Sequence, residues 1–261
     1  MAHQVARSII GTMTYLAPVG ALTTGDSTAA LKTAVADCIT ANQLHLILDL
    51  EQVSLLDGCG LEIIQESNVN LTHGGGWLKY VNPTPLVKDI LIATGLGDPV
   101  ALKSAAAGDL HSVGEDYSSL PPQKLGEILL AMGVVTTQQL ETAAELQSRS
   151  GKRMGRILVE NGTISDVDLL GALSRQFKIP HLALRAGLYE SAATSLLSKE
   201  TARRLEVLPL FKVHDTLTLA TPNPQAVLIQ DEVRELTGLK LRLVLAGREE
   251  ILKYQIDAYS G

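Results

Sequence analysis

Three residue types recur in one register of this sequence: a basic residue, a glycine two places on, and a glutamine twenty-one places after that. Lys124, Gly126 and Gln147 sit in KLGEILLAMGVVTTQQLETAAELQ, and Arg153, Gly155 and Gln176 in RMGRILVENGTISDVDLLGALSRQ. The two 24-residue stretches align without a gap across a five-residue spacer, 148–152. A glycine in the first turn of a helix costs about 1 kcal/mol relative to alanine. Carrying that cost twice at one position implies close approach to the backbone, by another helix or by a ligand. The basic side chains offer positive charge and donors, and the glutamines offer donor and acceptor together. Packing demands neither, so the residue types leave helix packing and a ligand site equally open.

Each copy reads as a helical hairpin. A first helix, over 124–132 or 153–161, stops at Gly133 or Gly162, residues suited to the left-handed position after a helix end. A second helix starts at Thr136 or Ser165. Thr136-x-x-Gln139 fits a capping box, and Ser165-x-x-Asp168 is a looser version of it. Leu129 and Leu140, with their counterparts Leu158 and Leu169, are spaced to pack the two helices of a hairpin together.

The rest of the chain divides around this repeat. The chain has 261 residues of globular composition, and those before the repeat open with strand-like and helix-like segments in the order βαβαβα, which predicts an α/β unit with a sheet covered by helices. GDLHSVGEDYSSLPP has the Gly, Ser, Pro and acid content of a linker. After the repeat, VLPLFKV and TLTLAT flank a His214-Asp215 turn and are followed by a helix, a strand and a final helix, a small α+β unit. The expected organisation is a domain over 1–110, a linker over 111–122, and a second domain over 123–258 that holds the repeat (124–176) and the α+β part (177–258). Each domain is long enough to bury its own core.

Charge and cysteine content narrow the function. The net charge is −6, and residues 1–118 carry 5 Lys/Arg against 12 Asp/Glu, which argues against nucleic acid or an anionic membrane as partner. Two cysteines, Cys38 and Cys59, without metal-ligand spacing suit the cytoplasm. RSIIGTMTYLAPVGALTTG loosely resembles an export signal, but Thr12, Thr14 and Pro18 interrupt it and its alternation suits a strand. No apolar run reaches the ~18 residues of a membrane span. Gly151-Lys152 lacks the upstream glycine of a P-loop, and the six histidines show no metal or triad spacing. No catalytic residue and no metal site is expected.

Over roughly 5–110 the sequence resembles the STAS domain, the fold of bacterial anti-sigma factor antagonists. The likeness lies in the strand ending Leu48-Asp49-Leu50, the Asp57-x-x-Gly60-Leu61 turn into a helix, and the segment from Val81-Asn82-Pro83 to Thr94-Gly95-Leu96. Such domains bind other proteins, and many are switched by phosphorylation of a serine in a D-S-[ST]-G turn. Here Cys59 stands at that serine and Gly58 precedes it, and a thiol is not the substrate a serine kinase expects. The resemblance places Asp57, Gly58 and Cys59 on the partner-binding face. Taken by itself, Cys59 reads as a thiolate favoured by a helix N-terminus or as a small buried residue at a tight turn. Asp57 reads equally as a helix cap.

Over roughly 120–258, the doubled [RK]-[LM]-G-x-x-L-x-x-x-G pattern with its distal Leu and Gln resembles the MshEN domain. This is the N-terminal domain of type II secretion and type IV pilus ATPases, many members of which bind cyclic di-GMP. The resemblance implies ligand contacts from Lys124, Leu125, Gly126, Leu140 and Gln147, and from Arg153, Met154, Gly155, Leu169 and Gln176. A two-fold symmetric dinucleotide suits two similar half-sites, with Arg or Lys on phosphate or on guanine O6/N7. Lys124 replaces the usual arginine and lacks its bidentate fork. Asn223, in TPNP, stands where relatives often carry aspartate.

Together these readings predict a non-enzymatic cytoplasmic signalling adaptor that binds cyclic di-GMP through the repeat and a protein through the STAS-like domain, with no nucleic acid partner and no membrane insertion. The alternatives are a pure protein-interaction module of a secretion, pilus or anti-sigma type pathway, or an ATP-binding regulatory domain.

Overall fold

The structure, a computed structural model, describes residues 5–97 and 124–260. The expected linker, 111–122, lies outside the described residues. The first half runs β1 (Ala6–Ile10), β2 (Met13–Ala17), β3 (Gly20–Leu22), α1 (Asp26–Thr40), β4 (His45–Asp49), β5 (Val53–Leu56), α2 (Gly58–His73), β6 (Trp77–Val81) and α3 (Pro85–Thr94). The main sheet has the order β1-β2-β4-β6, with β1 antiparallel to β2 and the others parallel. β3 and β5 form a separate parallel pair.

This sheet is richer than the βαβαβα reading. The segment read as one strand is divided twice. Gly11 (φ +62°) turns β1 back onto β2, and Pro18, which has no N–H to give a ladder, separates β2 from β3. β5 is four residues long, too short to show a period. Leu46 and Leu48 of β4 stand beside Leu78 and Tyr80 of β6, and all four are buried. α3 begins as its sequence dictates, with Thr84 Oγ1 accepting from Val87 N, Pro85 in the first turn and Gly95 (φ +72°) closing it.

The repeat folds into four helices: α4 (Leu125–Ala131), α5 (Thr137–Ser150), α6 (Met154–Glu160) and α7 (Asp166–Phe177). Gly133 (φ +71°) and Gly162 (φ +66°) occupy the left-handed positions after α4 and α6. Both capping boxes are complete. Thr136 Oγ1 accepts from Gln139 N and Ser165 Oγ from Asp168 N, while each third-position side chain accepts in return from the cap N–H. The helices do not pair mainly within their own hairpins. α4 packs against α7 and α5 against α6, so each first helix lies on the second helix of the other copy. Ile128, Leu129, Ile157 and Leu158 meet Ala143 and Ala172 in the resulting core. This exchange corrects the expected pairing. Four short amphipathic helices bury more apolar surface by interlocking than two separate hairpins do.

The remainder comprises α8 (Ser191–Thr194), α9 (Lys199–Leu205), β7 (Leu208–Val213), β8 (Thr216–Thr221), α10 (Val227–Thr237), β9 (Lys240–Leu245) and α11 (Arg248–Ala258). β7 and β8 form the hairpin at His214-Asp215, and β9 returns through α10 to lie parallel to β8. Two apolar clusters lie wholly within the second half, one in the repeat and one around β8, and a third spans both halves. The third joins Leu22, Leu56 and Leu61 of the first half to Leu188, Leu210 and Phe211 of the second. Among the described residues, no helix is long and apolar enough to cross a membrane.

Candidate functional site

A cleft of about 630 Å³ opens between the repeat and the C-terminal ends of β8 and β9. Its size falls within the usual range for small-molecule sites. The helices place Leu125 and Gln147 of the first copy, and Arg153, Met154, Gly155, Leu169 and Gln176 of the second, on its walls. Asn223 joins them from the loop after β8. Lys124, Gly126 and Leu140 are not among the lining residues, so the two copies contribute unequally. The sequence reading missed Arg156, Glu206, Gln225 and Arg248, which also line the cleft. Arg149, Lys152, Arg153 and Arg156 crowd into eight residues of the sequence, which is the one local sign of Arg156. The others come from elements whose position relative to the repeat no local pattern reveals.

The electrostatics single out Arg153. Lys152 and Arg156 both bond Glu160, at 2.7 and 2.9 Å, and Arg248 Nε bonds Glu206 at 2.7 Å. Those Lys152 and Arg156 bonds hold the Glu160 carboxyl below its ordinary pKa. Arg153 Nη1 instead donates to the neutral Oδ1 of Asn223 at 2.7 Å. That oxygen also accepts from Gln225 N at 3.2 Å, and Asn223 N donates to Thr221 Oγ1. A loop amide thus faces an exposed arginine that makes no salt bridge among the described residues.

The repeated glycines have a packing explanation. A Cβ on Gly155 would stand 2.5 Å from Leu169 Cδ1 and 3.3 Å from Leu125 Cδ2. One on Gly126 would stand 3.3 Å from Leu140 Cδ1. Each glycine therefore admits the leucine of its own copy, and Gly155 also serves the cleft wall.

The second predicted surface, at the start of α2, is partly covered. Asp57 is the cap: its Oδ1 accepts from Gly60 N and its Oδ2 from Thr24 N, each at 3.0 Å. Gly58 is buried, and its N–H donates to Glu190 Oε2 at 2.7 Å. A Cβ there would stand 2.5 Å from Lys212 O. The face expected to meet a separate protein thus meets the second half of this chain. Cys59 is exposed, which corrects the reading of it as buried. It occupies the outward side of the first helical turn, with Sγ accepting from Thr24 Oγ1 at 3.0 Å. Among the described residues no group of His, Cys, Asp and Glu could hold a metal ion.

Comparison with known proteins agrees with this architecture. Residues 7–107 match the model of the STAS domain and residues 177–261 that of the MshEN domain, the second match starting just after the repeat. The type IV pilus assembly ATPase PilB of Myxococcus xanthus (strain DK1622) is 32% identical over 138 residues, 51% of this chain and 24% of that protein. The chain therefore spans about a quarter of the length of that relative. Among solved structures, that of MshE with cdg is 28% identical and covers 52% of this chain and 99% of that one, with a TM-score of 0.49. A putative anti-sigma factor antagonist of Thermotoga maritima is 22% identical, covering 35% of this chain and 79% of that one, with a TM-score of 0.34. By the family models, residues 7–107 are similar to the STAS domain and residues 177–261 to the MshEN domain.

Proposed function

We propose that this chain is a non-enzymatic cytoplasmic signalling adaptor whose second domain binds cyclic di-GMP in the cleft between the repeat and the β8–β9 loops. The carrying observation is that seven motif residues from both copies share one cleft with Asn223. Arg153 supplies a guanidinium for phosphate or a guanine edge, and its bond to Asn223 is one that a ligand acceptor can take over. Leu125, Met154 and Leu169 offer apolar surface to a base, and Gly155 lies on the same wall. The unequal contribution of the copies makes 153–176 the stronger half-site. The STAS domain would carry the signal to a protein.

Calorimetric titration with cyclic di-GMP tests the receptor reading. Heat with a stoichiometry of binding supports it, and no heat at concentrations well above micromolar would sink it. ATP added to the same titration separates the purine-nucleotide alternative, since an ATP site would lose its ATP to cyclic di-GMP weakly or not at all.

A further inference from the structure

The first turn of α2 leaves backbone donors that its own cap cannot satisfy. Asp57 reaches Gly60 N and Thr24 N, and the N–H of Gly58 remains. A helix N-terminus also carries partial positive charge, so the group that completes it is best an anion. Glu190, half-buried in the segment before α8, supplies that anion. Its Oε2 accepts from Gly58 N at 2.7 Å and its Oε1 from Lys212 N, on β7, at 2.9 Å. One carboxylate therefore ties the start of α2 to the neighbouring domain's sheet.

The tie is reciprocal. Glu62, one turn along α2, accepts from His214 N of the second domain at 2.7 Å. Each domain lends a carboxylate to the other's backbone. Further along, Arg185 donates to Pro85 O at 2.7 Å and pairs with Asp89 of α3. Beneath these polar contacts lies the apolar cluster shared by both halves. The fit is close enough to dictate residue type, because any side chain at position 58 would run into Lys212 O.

We propose that the second domain is the protein partner of the α2 corner in cis, with Glu190 as the group that reads the helix N-terminus, so that a separate protein reaches this corner only when the domains part. The proposal is independent of whether the cleft holds a nucleotide. An interface that joins the apolar cores of two domains differs from the small polar contacts that let domains move freely. Polar groups placed within it, each satisfied, set the register of the docking.

The test uses the full chain. Gly58→Val pushes a branched side chain into Lys212 O, and Glu190→Lys puts a cation at the helix N-terminus from the other side of the contact. Glu190→Lys keeps the proposal testable where Gly58→Val fails to fold. With far-ultraviolet circular dichroism unchanged, either variant is expected to speed hydrogen exchange of the His214 amide, which bonds Glu62 across the contact, by roughly tenfold or more. Small-angle scattering should report a larger radius of gyration. Unchanged His214 exchange and an unchanged scattering profile in a folded variant overturn the proposal.

Discussion

Arg153 is the residue on which the ligand reading turns, and its present partner explains why. A guanidinium bonded to a neutral amide oxygen keeps its charge available, whereas Arg156 and Arg248 are matched by carboxylates. Hydrogen bonds to charged groups contribute about 1.5–3 kcal/mol. Arg153→Ala is therefore expected to weaken cyclic di-GMP by roughly 10- to 100-fold in calorimetric titration. Lys124 is exposed and off the cleft, so Lys124→Ala is expected to cost less than about fivefold, the range of an exposed charge. Equal losses would show that the first copy closes onto the ligand after all. At this scale the sequence was half legible. The repeat exposed Gly126 and Gly155 as positions that a Cβ would burden, and Leu140 and Leu169 prove to be what approaches them. Gly58 was noticed only as a departure from a serine motif. The reason for it lies on Lys212, more than a hundred residues away, and no local pattern carries that distance.

The elements were easiest to read where short-range chemistry fixes them. Thr136, Ser165, Gly133 and Gly162 mark helix ends through hydrogen bonds and dihedral angles local to each turn, so that α4 and α6 end and α5 and α7 begin beside them. The exchange of partners among those helices was not legible, because an apolar face fits a neighbour of either copy equally well. β3 and β5 escaped for a related reason: strands of three and four residues have too few positions to show alternation. The cap of α7 gives a prediction at this scale. Ser165 Oγ accepts from Asp168 N, and the hydrogen bonds of Ser165 to the Asp168 carboxylate hold its pKa below the ordinary value. Ser165→Ala is expected to lower the urea midpoint without changing the slope, by about 1 kcal/mol at neutral pH. A depressed carboxylate pKa stabilises the folded state above the unfolded pKa and loses that contribution as pH falls through the folded one. The gap between the parent and Ser165→Ala should therefore narrow in acid, below the usual Asp pKa of about 3.9. A gap independent of pH would mean that the cap acts through Ser165 alone.

For the whole molecule, the three-stranded sheet sets the relation between cleft and docking corner. Pro222 and Asn223 follow the end of β8 and Gly247 follows β9, and these meet the cleft. Lys212, whose carbonyl lies against Gly58, and His214, bonded to Glu62, meet α2 at the opposite end of the β7–β8 hairpin. At about 3.3 Å per residue, six-residue strands hold the two sites roughly 20 Å apart on one hydrogen-bonded support. Because the apolar cluster runs through both halves, the domains should unfold as one cooperative unit rather than two. A ligand that binds only the folded state at 100 times its dissociation constant adds about 2.7 kcal/mol. Cyclic di-GMP at that excess is therefore expected to raise a single calorimetric transition, and to raise it equally when unfolding is followed at Trp77 on β6. Trp77 is the chain's one tryptophan and lies in the STAS domain, far in sequence from the cleft. A Trp77 transition that stays in place while a second, later one moves would show that the domains melt separately. The shared core would then be too weak to pass ligand binding from the MshEN domain to the STAS domain.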